Sequence, residues 1–163
     1  MAKMSMVIEQ GAPARPSLPA DFTADGFLAP GDYPLTLDEL AGSMLVTGPA
    51  SHSATWDAGW RAELVEKLRV LAEQLWQVGV TELFIDGSFV ENKDHPNDID
   101  GYFVCDLKRL ASGELERELY PHFGQLCGIT DKYGNELEFP SAFRLSRRDG
   151  KPRGIVQLIR GAP

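Results

Sequence analysis

One apolar stripe constrains this chain more than any other feature. Trp60, Leu64, Leu68, Leu71, Leu75 and Val78 recur at intervals of three and four residues. That period puts the side chains on a single face of an α-helix. The stripe predicts a helix of about six turns over residues 56–78. Ser53 or Thr55 can cap its start, Asp57 suits its first turn, and Gly79 ends it. A one-sided helix of this length must lay its stripe on something, and the next residues say what. Thr81-Glu-Leu-Phe-Ile-Asp86 has the composition and length of a strand. A long helix running straight into a strand points to an α/β or α+β domain in which helices flank a small mixed sheet.

The remaining elements fit that class. Asp98-Ile-Asp-Gly-Tyr-Phe-Val-Cys105 reads as a second strand, with the polar loop Glu91–Asn97 before it. Residues 107–120 are helical in pattern, although Ser112-Gly113 interrupts them, and Pro121 ends the run. Leu137-Glu-Phe139 suggests a third strand and residues 154–159 a fourth, with the Asp149-Gly150 turn between them. Upstream, residues 1–20 are rich in Pro, Ala and Gly and read as an extended, flexible segment. Residues 21–50 are too apolar for a free tail, with Phe22, Phe27, Leu28, Tyr33, Leu35 and Leu40 among them. They read as an extended N-terminal arm packed on a core domain of residues 51–163. Within the arm, Thr36 and Glu39 have the spacing of a capping box and predict a short helix.

Charge excludes some partners. The chain has 24 acidic and 16 basic residues, a formal net charge of −8. That balance argues against broad coating of DNA, RNA or anionic membranes. The charge is unevenly spread, because residues 144–163 hold six basic residues against Asp149 alone. Cys105 and Cys127 form no disulfide framework and no zinc motif. No run reaches the apolar length of a membrane span, and the N-terminus has no signal-peptide pattern, so the expected setting is cytoplasmic.

The chemistry-bearing residues lie around the second strand. Gly87-Ser88 ends the first strand, and Asp98-Ile99-Asp100 follows after nine residues. Glycine at a strand end lets backbone approach a ligand closely. The Ser88 hydroxyl and adjacent amides can donate to phosphate oxygens. Asp98 and Asp100, two apart on an expected strand, leave the same face. Neighbouring carboxylates repel unless protonated or bound to a cation. A hard divalent ion such as Mg²⁺, or Mn²⁺, relieves that repulsion and in turn grips phosphates.

Gly87-Ser88-Phe89-Val90 followed by Pro96-Asn97-Asp98-Ile99-Asp100 resembles the signature of the nucleotidyltransferase superfamily related to DNA polymerase beta. More closely, the chain resembles a nucleotidyltransferase-like family, DUF6932. That likeness extends to Gly31-Asp-Tyr-Pro-Leu-Thr-Leu-Asp-Glu-Leu40 and to Phe84–Val90 with Lys93. The resemblance implies a minimal nucleotidyltransferase fold. In it Gly87 and Ser88 contact the triphosphate of a nucleotide, and Asp98 and Asp100 bind the metal. A third carboxylate from a later strand is also implied. Glu138 is the first choice, Glu136 the second and Asp131 the weakest. Small antitoxin members of the superfamily carry Ala-Arg-Gly after the Gly-Ser pair, where this chain has Val90-Glu91-Asn92. Lys93 is the candidate to make the phosphate contact instead.

Two functions follow from these residues. One is transfer of an NMP from a nucleoside triphosphate to a hydroxyl on a protein, an RNA terminus or a small molecule. The other is a binding or regulatory protein that kept the fold without catalysis. A toxin–antitoxin or phage-defence setting fits either, and a homodimer is compatible with both.

Overall fold

The computed structural model describes residues 15–119 and 149–161. In chain order it contains β1 (Asp32–Leu35), α1 (Leu37–Ala41), α2 (Met44–Thr47), α3 (Ala58–Gln77) and β2 (Glu82–Asp86). A 3-10 turn (Gly87–Val90) follows, then β3 (Asp100–Val104), α4 (Leu107–Ala111), α5 (Glu114–Leu119) and β4 (Ile155–Leu158). This is the expected mixed α/β architecture.

Local chemistry explains most boundaries. Thr36 caps α1 in a complete capping box: its hydroxyl accepts the Glu39 amide, and the Glu39 carboxylate accepts the Thr36 amide. Ser43 caps α2 in a similar way, accepting from the Leu45 amide. The long helix α3 begins at Asp57, whose carboxylate accepts the Trp60 amide at 2.9 Å. Neither Thr55 nor Ser53 caps it, because both hydroxyls turn instead to the Asp94 carboxylate. The expected helix over 107–120 is two short helices, α4 and α5, parted at Ser112-Gly113. The strand expected from Asp98 begins only at Asp100, so Asp98 lies in the chain leading into β3.

The four strands form one mixed sheet in the order β1-β4-β2-β3. β1 runs parallel to β4, with Asp32 opposite Ile155 and Leu35 opposite Leu158. β2 is antiparallel to β4 and to β3, and its last residue, Asp86, stands opposite Asp100. Cross-strand partners share a face. Tyr33, Leu35, Leu83, Ile85, Val156 and Leu158 therefore line one side, and they join Leu64, Val65, Leu75 and Trp76 of α3 in a single buried cluster. The other side carries Phe84, Asp86, Asp100, Tyr102 and Gln157, with the Phe84 and Tyr102 rings stacked at 4.8 Å.

The arm is built into this sheet, since its β1 is an edge strand and Leu28, Leu37, Leu40, Leu45 and Val46 belong to the core. The arm also rotates the buried face of α3. Arg61, Leu64, Val65, Ala72, Leu75 and Trp76 are buried, whereas Trp60, Leu68, Leu71 and Val78 of the predicted stripe are half-buried. The contacts of α1 and α2 with α3 account for the shift.

Candidate functional site

The β2–β3 register brings the two halves of the sequence motif together. Asp86 pairs with Asp100, so the Gly87 turn begins where β3 begins. Gly87 has φ +71°, in the left-handed region that favours glycine. A Cβ there would lie 2.8 Å from Asp100 Cγ and collide with its carboxylate oxygen. Backbone of the Gly-Ser turn and carboxylate of the second aspartate are thus in direct contact. Ser88 is half-buried, and its carbonyl accepts the Glu91 amide at 3.3 Å. Asp98 and Asp100 are exposed.

The loop between Ser88 and Asp98 is pinned along its length. The Asn92 amide donates to Gly26 O at 2.8 Å, and Phe27 bridges to Glu91. The Asp57 amide donates to Asp94 O at 3.1 Å. Trp60 Nε1 donates to Pro96 O at 2.6 Å, and its ring stacks on His95 at 5.2 Å. The hydroxyls of Ser53 and Thr55 hold the Asp94 carboxylate below its ordinary value, against the opposing effect of burial. Asp57 is lowered too, first by the Trp60 amide and then by His95. Arg61 reaches the same loop from beneath. Lys93 is exposed, and its carbonyl accepts from Arg61 Nη2.

Two ion pairs of one arginine flank the turn, one buried and one part-buried, and sequence reading missed both. Asp86 stands at the start of the turn, but its side chain makes no capping hydrogen bond. It is 5% exposed and accepts from Arg153 Nη2 at 2.7 Å, while Nη1 of the same arginine donates to Glu91 at 3.0 Å. Arg153 comes from the approach to β4 and grips the residues on either side of Gly87–Val90. The pairing commits Asp86 to a guanidinium and separates its role from that of Asp100. The available signal was a charge outside any stripe, Arg153 next to the strand Ile155–Leu158, but sequence alone cannot say which acid it meets.

Glu138, with Glu136 and Asp131, lies outside the described residues. Among the described residues, no group of three His, Cys, Asp or Glu side chains is disposed to hold a metal ion. The described part of the site therefore consists of Asp98, Asp100 and the Gly87-Ser88 turn, with Lys93 at its rim by sequence. Among the described residues, no helix is long and apolar enough to cross a membrane.

A model of a family of unknown function, DUF6932, matches residues 20–159. The chain belongs to that family. Compared with curated proteins and with solved structures, the chain matches none. The DUF6932 match begins upstream of β1 and ends beyond β4. The family unit thus includes the edge strand as well as the sheet that it completes.

Proposed function

We propose that this DUF6932 protein is a Mg²⁺-dependent nucleotidyltransferase that moves an NMP from a nucleoside triphosphate to a hydroxyl of a protein, RNA terminus or small molecule. The observation that carries the reading is the contact of the Gly87 turn with the Asp100 carboxylate. It joins backbone able to receive phosphate oxygens to an acid able to bind a cation. Asp98 and Asp100 supply the hard oxygen donors that Mg²⁺ prefers, and Glu138 is the proposed third donor. Bound there, the ion would offset phosphate charge. Ser88 and the amides beside it hold the triphosphate, with Lys93 adding a cation at the edge. The acceptor oxygen forms a bond to the α-phosphorus as the bond to the β-phosphate oxygen breaks. Pyrophosphate leaves, and the hydroxyl proton passes to a carboxylate, for which Glu138 is the candidate.

The test is calorimetry with each NTP and Mg²⁺, followed by incubation with α-labelled NTPs and host protein and RNA. Binding and label transfer are expected. Asp98→Asn combined with Asp100→Asn should abolish transfer with an unchanged circular dichroism spectrum. Binding without transfer would favour the second reading, a nucleotide-responsive binding or regulatory protein. Absence of binding to every NTP would remove the proposal.

A further inference from the structure

Arg61 is fully buried in α3, at 0% exposure, although a helical arginine normally reaches water. A guanidinium carries its donors in a rigid planar fork. Nη1 donates to the carbonyls of Leu45 at 2.7 Å and Phe89 at 2.8 Å. Nη2 donates to Glu91 O at 3.3 Å and Lys93 O at 2.5 Å. The plane is held by two rings, with Cζ 4.0 Å from the Trp56 centroid and 5.0 Å from that of Phe89. Burial pushes the guanidinium down to about 10, with Asp94 opposing, so it stays charged at neutral pH.

The carbonyls it collects have a pattern. Phe89, Glu91 and Lys93 alternate along one loop, and a segment of alternating carbonyls facing one point has its backbone direction set by that point. The fourth carbonyl, Leu45 O, belongs to α2 of the arm. One side chain therefore ties the arm to the segment that leaves the Gly-Ser turn. A lysine of similar length offers a point charge and cannot reproduce the fork.

We infer that Arg61 is the positioning residue of the site: it fixes the backbone of residues 87–93, and so presents the Ser88 turn beside Asp100, with the arm as its anchor. Its effect on a ligand rests on the nucleotide reading, whereas its effect on the loop does not. The experiment uses the full chain and Arg61→Lys, with amide hydrogen exchange and Mg²⁺–NTP calorimetry side by side. The amides of Glu91, Asn92 and Lys93, which bond to Ser88 O, Gly26 O and Glu91 O, report the loop. The strand Ile155–Leu158 reports the core. In Arg61→Lys, loop exchange should rise about tenfold or more with the β4 rate unchanged. NTP affinity should fall by about tenfold.

An unchanged loop, or an equal rise in loop and β4, overturns the inference. So does a loosened loop with wild-type NTP affinity. If the wild type binds no NTP, the functional reading fails and exchange alone decides: a rise confined to the loop supports positioning, and none overturns it. If Arg61→Lys does not fold, the wild-type protein still decides by NMR. Resolved, slowly exchanging Arg61 Nη protons support the clamp, and signals averaged with solvent overturn it.

Discussion

Three arginines and a lysine of similar sequence character have very different roles. Arg153 is 7% exposed and joins Asp86 and Glu91, whereas Lys151 is an exposed partner of Asp25 at 3.0 Å. Breaking a buried pair leaves a charge without compensation, and exposed pairs contribute little. Arg153→Met should cost about 3–5 kcal/mol in urea unfolding. Lys151→Met should cost less than about 1 kcal/mol. Equal effects would mean that the Arg153 cluster is not the strut it is taken to be. Arg61 is buried on the helix, and Arg160 is exposed near the chain's end. None of these differences is visible in sequence, where all four simply count as positive. Burial depends on which carboxylates and carbonyls arrive from elsewhere. By contrast, the turn at Gly87 was legible, because a glycine at the end of an apolar strand answers a local demand on the backbone. Glu138 lies outside the described residues, so its part in the site rests on sequence.

At the scale of elements, the caps respond to pH. Asp57 opens α3 with a carboxylate held below its ordinary value of 3.8, chiefly by the Trp60 amide. A depressed folded-state value means that the unfolded chain takes up the proton first. The stability that Asp57 contributes is therefore complete above its ordinary value and is lost as pH falls through the lower folded-state value. Asp94, lowered by Ser53 and Thr55, follows the same course. Urea midpoints should be flat from pH 7 to pH 5 and drop below pH 4, and Asp57→Asn should shrink that drop. An identical drop in the variant would show that Asp57 is not among its causes. The sequence named Asp57 as a first-turn acid and offered Thr55 or Ser53 as caps. Those hydroxyls were recruited by Asp94, from a loop that crosses the helix start only in the folded chain. The capping box at Thr36, by contrast, was predictable because both partners lie within four residues.

Across the whole molecule, the arm is part of the fold. β1 pairs with β4 over four residues, and a Cβ on Gly154 would meet the Tyr33 ring at 2.7 Å and Leu28 Cβ at 2.8 Å. A chain starting at Ser51 would lose β1 and the core side chains Leu28, Tyr33, Leu35, Leu37, Leu40, Leu45 and Val46. Fully burying each such side chain contributes about 1.5–3 kcal/mol, and whole domains are stable by only about 5–15 kcal/mol. The shortened chain should therefore show no cooperative thermal transition by circular dichroism. A sharp transition would mean that the core stands without the arm. The charge asymmetry also changes meaning at this scale. Within the described residues, Arg153 neutralises Asp86 and Glu91 of the acidic body from inside, while Lys151 meets Asp25 at the surface.

The sequence by itself determined the fold class, the long helix and the strand that follows it, with the glycine turn at its end. Each of these is written in periodicity or in contacts between near neighbours, which need no knowledge of the rest of the chain. Tertiary structure decided the register that sets Gly87 against Asp100. It also brought the arm into the sheet, rotated the buried face of α3, and chose the partners of Arg61 and Arg153. Those outcomes depend on groups far apart in the chain, such as Asp32 with Ile155, Arg61 with Leu45 and Arg153 with Asp86. Residue type states what such groups can bind, and only the packed chain brings their partners within reach.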